Sequence, residues 1–220
     1  MKYRSVYDII GPIMVGPSSS HTAGAASIGR LARSIFGRQP SHVELMLYGS
    51  FAETYKGHAT DVALIAGLLG YETDDPRLPE SPRYAEEAGV EVVITTMEAV
   101  PDHPNTARIR MRDEQEKMEV VGISIGGGKV EITELNGFEL QLSGHHPAIL
   151  IVNHDRYGVV ANVTSILSKE QVNIANMKVS RREKGELALM VIEIDERLDG
   201  RILEEIRALS GVNRVLSMED

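Results

Sequence analysis

The chain of 220 residues contains no cysteine. Disulfides, thiolate nucleophiles, Cys-ligated zinc and a self-held iron–sulfur cluster are therefore excluded. Tryptophan is also absent and there are only three phenylalanines, which argues against an aromatic stacking platform for single-stranded nucleic acid. Basic residues are outnumbered: 23 Lys and Arg face 32 Asp and Glu, a formal net charge of −9. That balance disfavours nucleic acid or an anionic membrane as partner, since both select clustered basic surface. Long hydrophobic runs are missing too. Val62 to Gly70 spans nine residues, against the roughly 20 a membrane-spanning helix needs. The N-terminal Met1-Lys2-Tyr3-Arg4 leads into a mixed segment without the apolar stretch of a signal peptide. A cytoplasmic protein is expected.

What is present is an ordinary globular composition, 42 % hydrophobic and 25 % charged, with chain enough for one large domain or two small ones. Two textures meet near Gln141–Pro147, which predicts an N-terminal domain over 1–142, a linker over 143–147 and a C-terminal domain over 148–220. In the second block, Ala148–Val152 reads as a buried strand. Gly158 opens a helix on which Val159, Val160, Val163, Ile166 and Leu167 recur at helical spacing. Strands follow at 173–180 and 187–194, then a helix at 200–209 and a strand at 212–218. The order β-α-β-β-α-β is the ferredoxin-like arrangement.

The first block reads as an α+β domain. Val6–Ile10 suggests a short helix, and Ala25, Ile28, Leu31, Ala32 and Ile35 mark a clear amphipathic one ending near Gly37. His42–Tyr48 alternates as a strand, the stretch from Gly49 to Lys56 shows no clear period, and Val62–Leu69 is an apolar helix. Strands are expected at 90–95, 106–112, 118–125, 130–135 and 138–142. Hairpin turns are expected at 113–116, at the glycines 126–128 and at Asn136-Gly137.

Ser18-Ser19-Ser20-His21-Thr22 is the densest polar cluster in the chain and stands immediately before the amphipathic helix. Unpaired N–H groups and the helix dipole favour an anion there, and several hydroxyls add donors for a carboxylate or phosphate. One hydroxyl would suffice as a cap, so anion binding is the preferred reading. Gly57-His58-Ala59-Thr60-Asp61 repeats the device, with Thr60 able to cap and Asp61 in the first turn. His58 could serve as a general base, although from the sequence alone a loop histidine bonded to a neighbouring carbonyl is the preferred reading. His103, in Pro101-Asp102-His103-Pro104-Asn105, sits in a loop stiffened by two prolines. Gly126-Gly127-Gly128-Lys129 lacks the Walker A spacing, and adjacent His145 and His146 lack zinc-motif spacing. No metal site within this chain is expected.

The second block resembles the ACT domain, a small-molecule sensing module, with Asp155-Arg156-Tyr157-Gly158 where that family often has Asp-x-Pro-Gly. The resemblance implies an effector region at Tyr157, Gly158, Asn173 and Ile174, and association through ACT domains into a higher oligomer. The alternative is a module used only for packing or dimerisation.

Three motifs occur in order: Gly16–Thr22, Tyr48–Asp61 and His103-Pro104-Asn105. With the ACT-like end, they resemble the β chain of bacterial iron–sulfur L-serine dehydratase over essentially the whole chain. The first block also resembles the serine-binding domain of some D-3-phosphoglycerate dehydrogenases, an ASB-like α/β domain. The resemblance implies a lyase subunit of serine catabolism that deaminates L-serine to pyruvate and ammonia. It further implies a [4Fe–4S] cluster held by a separate Cys-containing α chain, consistent with the lack of cysteine here. By the same resemblance, Ser18, Ser19, Ser20, His21, Thr22, Thr60, Asp61 and Asn105 would bind serine. His58 or His103 would supply the base, and iron would act on the substrate hydroxyl as a Lewis acid. The alternatives are a free-standing serine sensor without chemistry and a docking subunit without a substrate role.

Overall fold

The computed structural model describes residues 12–218, so the helix expected over Val6–Ile10 lies outside the described residues. Two compact units divide between Asn136 and Gly137.

In the first unit a π-helical turn, Ser19–Ala23, runs directly into α1, Gly24–Phe36. Helix α1 buries Ala25, Ala26, Ile28, Ala32, Ile35 and Phe36 and stops where Gly37 adopts φ 82. That left-handed conformation favours glycine at a helix end. The strands are β1 (His42–Tyr48), β2 (Glu91–Met97), β3 (Asn105–Arg112), β4 (Lys117–Gly126) and β5 (Lys129–Leu135). They lie in the order β2-β1-β3-β4-β5. Strands β1 and β2 pair in parallel, and β1–β3, β3–β4 and β4–β5 pair antiparallel. The parallel pair needs a long crossover, which is helical. It carries α2 (Gly49–Thr54), α3 (Thr60–Leu68) and α4 (Ser81–Glu87).

Three details position the site. The stretch without a clear period folds as α2, a helix of six residues too short to show a 3.6-residue repeat. Helix α3 is apolar nearly all round, as a helix covered on several sides must be. Its cap is Ala59, whose φ of 53 turns the chain sharply, and no side chain caps it. Thr60 therefore does not cap, contrary to the sequence expectation: it is already the first helical residue, fully buried, and its Oγ1 has no hydrogen-bond partner.

Helices α1 and α3 meet through glycine. A Cβ on Gly29 would fall on the Leu64 carbonyl, and one on Gly67 would fall on the Ala26 carbonyl. On the sheet side, a Cβ on Gly122 of β4 would come within 2.6 Å of Ile28 Cγ2. Missing side chains thus let backbone approach backbone and seat α1 on the sheet. Gly126, Gly127 and Gly128, all at positive φ, form the β4–β5 turn.

The second unit contains β6 (Phe138–Leu142), β7 (Ala148–His154), α5 (Val159–Lys169), β8 (Ile174–Arg181), β9 (Leu187–Ile194), α6 (Gly200–Arg207) and β10 (Val212–Met218). The sheet order β10-β7-β9-β8, antiparallel throughout, is ferredoxin-like. Ile149, Ile151, Met190 and Ile192 from the sheet pack with Val163, Leu167 and Ile206 from the helices. Each such side chain contributes ~1.5–3 kcal/mol on burial. Asp199 caps α6 by accepting from Arg201 N–H at 3.0 Å. The fold class is α+β, an α/β N-terminal unit followed by a βαββαβ unit.

Candidate active site

The Ser18–Thr22 segment folds back on itself. Ser18 Oγ accepts from His21 N–H at 3.1 Å and lies 3.3 Å from both Ser20 Oγ and His21 Nδ1. Ser20 Oγ is 3.0 Å from the same nitrogen. The turn closes through Thr22 N–H to Ser18 O at 2.8 Å and Gly24 N–H to Ser19 O. A single capping hydroxyl does not need this arrangement, which gathers two serine hydroxyls at one ring nitrogen of an imidazole.

His21 is the hub. Its Nε2 lies 2.9 Å from Ser50 Oγ on α2. Its ring stands edge-on to Phe51, with centroids 5.5 Å apart, and 4.8 Å from the ring of His58. Thr22 Oγ1 donates to the His58 carbonyl at 2.9 Å, tying the turn to the start of α3. Buried polar groups normally find partners, since an unpaired one costs about 1–3 kcal/mol. Here four do not: His58 Nδ1, Thr60 Oγ1, Asn105 Oδ1 and Ser124 Oγ. Three of them are linked to the hub, His58 by ring contact and Ser124 and Asn105 through Gly24. A Cβ on Gly24, the residue following the turn, would collide with Ser124 Oγ, and Asn105 Nδ2 donates to Ser124 O at 3.4 Å. Asn105 also bridges Gly49, next to Ser50.

His103 is held differently. Its Nδ1 accepts Asn105 N–H at 3.2 Å and its carbonyl accepts Thr106 Oγ1 at 2.5 Å. A ring nitrogen that accepts leaves the proton of the neutral imidazole on the other, so the hydrogen-bond network assigns N–H to Nε2. Asp61 Oδ1 accepts its own Val62 N–H at 2.9 Å, as an acidic residue in a first helical turn does.

Of the residues singled out from the sequence, the structure gathers Ser18, Ser20, His21, Thr22 and His58 by direct contact. Thr60 adjoins them in the chain. Asn105 and the His103 loop join through α2, where Phe51 N–H reaches Pro104 O at 3.4 Å. Ser19 is half-buried within the turn. Ser50 and Phe51 lie within the Tyr48–Asp61 motif but carry no site role in the sequence reading, and Ser124 is not singled out there. Ser50 and Phe51 stand in a stretch without a period, and Ser124 is one polar residue of an alternating strand. In the second unit Tyr157 is fully exposed and Gly158, at φ 85, precedes α5. Asn173 Nδ2 donates to Asp195 Oδ2 at 2.6 Å, and half-buried Ile174 begins β8.

The His21 pKa is held below its usual value, first by burial and second by the neighbouring His58. Above about pH 6.5 the ring is neutral in both folded and unfolded chain, so nothing is lost. As pH falls below that value the unfolded chain takes up the proton first, and stability declines until pH passes the depressed folded value. The urea midpoint is therefore expected to fall between about pH 7 and pH 5, and to fall less in His21→Gln. Equal slopes in the two proteins would contradict this account.

Comparison with known proteins shows the family of the chain. The family model described as serine dehydratase beta chain matches residues 5–90, and the ACT domain model matches residues 148–211. The chain is 56 % identical to the probable L-serine dehydratase, beta chain, of Bacillus subtilis (strain 168), over all of both chains. It is 38 % identical to the L-serine dehydratase, beta chain, of Peptoniphilus asaccharolyticus, over 96 % of this chain and 94 % of that one. A D-3-phosphoglycerate dehydrogenase of Synechocystis sp. is 25 % identical over 86 % of this chain and 34 % of that protein. With its hydroxyl-lined histidine site in the first unit and an ACT domain as the second, the chain belongs to the L-serine dehydratase beta-chain family.

Proposed function

We propose that this chain is the substrate-binding half of a two-chain L-serine dehydratase, a lyase that forms pyruvate and ammonia from L-serine. The observation that carries the reading is the set of four unpaired buried polar atoms on the elements that meet at His21: His58 Nδ1, Thr60 Oγ1, Asn105 Oδ1 and Ser124 Oγ. Such atoms are costly unless something polar completes them. A small amino acid, with donors and acceptors at close spacing, has the right chemistry.

In this reading the Ser18 and Ser20 hydroxyls and the N–H groups at the head of the turn take the serine carboxylate, offsetting negative charge that grows as the α proton leaves. His58 accepts that proton on Nδ1, a buried ring nitrogen without a partner. His21 stays neutral, bridging Ser20 and Ser50 and holding the turn against α2. His103 offers Nε2–H as a donor.

An iron–sulfur cluster does not fit the donor set of this chain. The sequence has no cysteine, and among the described residues no group of three or more His, Asp or Glu could hold a metal ion. The cluster falls to a separate Cys-containing α chain, so no step of the reaction is assigned to a metal here.

The test is pyruvate formation from L-serine under anaerobic conditions. The chain is assayed alone and with its L-serine dehydratase α chain, reconstituted with iron and sulfide. Activity in the mixture alone is the expected result. An inactive mixture, with cluster assembly and complex formation both verified, would instead favour a serine sensor without chemistry, and direct serine binding by the isolated chain would then be measured.

A further inference from the structure

Strand β2 is the terminal strand of the first unit's sheet: among the described residues it pairs with β1 and has no second neighbour. A free parallel edge displays a row of N–H and C=O groups ready to pair with another chain, and proteins usually cover or blunt such edges. This one is flanked by two cavities. One of about 600 Å3, between α3, α4 and the start of β2, is lined by Ile65, Val92 and Ile94 with Asp61, Glu86 and Glu91 among the polar residues. The other, of about 740 Å3, lies at the far end of β2 and has Glu53 and Glu98 on its walls. Neither is lined by Lys, Arg or His. Among the described residues Glu53, Glu86 and Glu98 have no cationic partner, whereas many other carboxylates of this unit do. Apolar surface is exposed beside them, with Val93 42 % and Val100 95 % exposed.

The second cavity adjoins the site. Ser50, which holds His21 Nε2, is one of its walls, as is Pro104 of the His103 loop. A chain of another polypeptide seated along β2 would thus reach the back of the serine site. We infer that the β2 edge, with its two acid-rimmed cavities, is the docking surface for the Cys-containing α chain, which adds a basic extended segment to the sheet. The occupant is chosen by charge and by continuity. Uncompensated carboxylates select a basic partner, strand addition supplies main-chain pairing, and the shared wall at Ser50 makes the surface continuous with the His21 cluster. This rests on the two-chain reading above.

The test measures association of the full chain with its purified α chain, anaerobically, at low and high ionic strength. Wild-type affinity is expected to fall with salt. Glu86→Lys in one cavity and the double variant Glu53→Lys, Glu98→Lys in the other are each expected to weaken association at least tenfold. Melting temperature and serine binding by the isolated chain should not change. The corresponding Glu→Gln variants, which keep shape and remove charge, should lose less. Unaltered affinity in every variant overturns the docking surface and leaves the function standing. Loss of self-association in these variants, with α-chain binding intact, overturns it in favour of a second copy of this chain. A wild-type pair that neither associates nor forms pyruvate removes the functional reading, and this inference with it.

Discussion

Replacing His58 by alanine in the reconstituted two-chain enzyme is expected to lower kcat by about 10²–10⁴-fold, the range over which a positioned general base acts. The reason is local. His58 Nδ1 is buried and unpaired, its ring stands 4.8 Å from that of His21, and its own carbonyl is pinned by Thr22 Oγ1. Backbone and ring are thus fixed from the same turn that holds the hydroxyls. Serine affinity should move little, because the carboxylate contacts belong to Ser18 and Ser20. His103→Ala is expected to cost less, since His103 Nδ1 already accepts the Asn105 N–H and is not available as a base. Steady-state kinetics on both variants checks the assignment. A loss in His103→Ala equal to or greater than that in His58→Ala would reverse the two roles.

Gly67→Ala is expected to be among the most damaging single changes to the first unit. Outside a packed contact, Gly→Ala within a helix stabilises it by about 1 kcal/mol. Here the new methyl would meet the Ala26 carbonyl, Arg30 N at 2.7 Å and Gly29 Cα at 2.9 Å, all backbone atoms of α1. Backbone cannot rotate aside as a side chain can, so the two helices must part and every contact along them loosens. Overpacking of this kind costs about 1–3 kcal/mol, and more where relief requires moving a helix. Because α1 carries the Ser18–Thr22 turn at its head and α3 carries Thr60 and follows His58, serine binding should weaken along with stability. Gly200→Ala is the control: nothing lies within 4 Å of its added Cβ, and α6 begins there. It is expected to be neutral or mildly stabilising. Urea denaturation of the three proteins decides; a Gly67→Ala chain as stable as wild type would refute the close-packing account.

The contrast between those two glycines shows where sequence reading stops. Both stand in helices and nothing in the local pattern separates them, because the distance between α1 and α3 is a tertiary fact. Helix α1 itself was legible, since its apolar residues recur at helical spacing and Gly37 ends it. So was the second unit, whose alternating strands and two amphipathic helices carry their own periods. Helix α2 was not, being too short to show a period, and with it went Ser50 and Phe51. Thr60 was misread as a cap because Thr before an apolar run has that signature. The left-handed turn at Ala59 instead makes it the first helical residue and leaves its hydroxyl unpaired.

The sequence alone determined what chemistry this chain cannot hold by itself: without cysteine it has no ligands for an iron–sulfur cluster. It also determined that hydroxyls and a histidine crowd the head of α1, since composition and local order need no folding to be read. Only the tertiary structure decided which histidine is the hub. His21 earns that place through Ser50, Phe51 and His58, residues 29 to 37 positions away in the chain and brought together by packing. Tertiary structure also separated His58 from His103, because the difference lies in a single hydrogen bond, from Asn105 N–H to one ring nitrogen, that no residue type or spacing specifies.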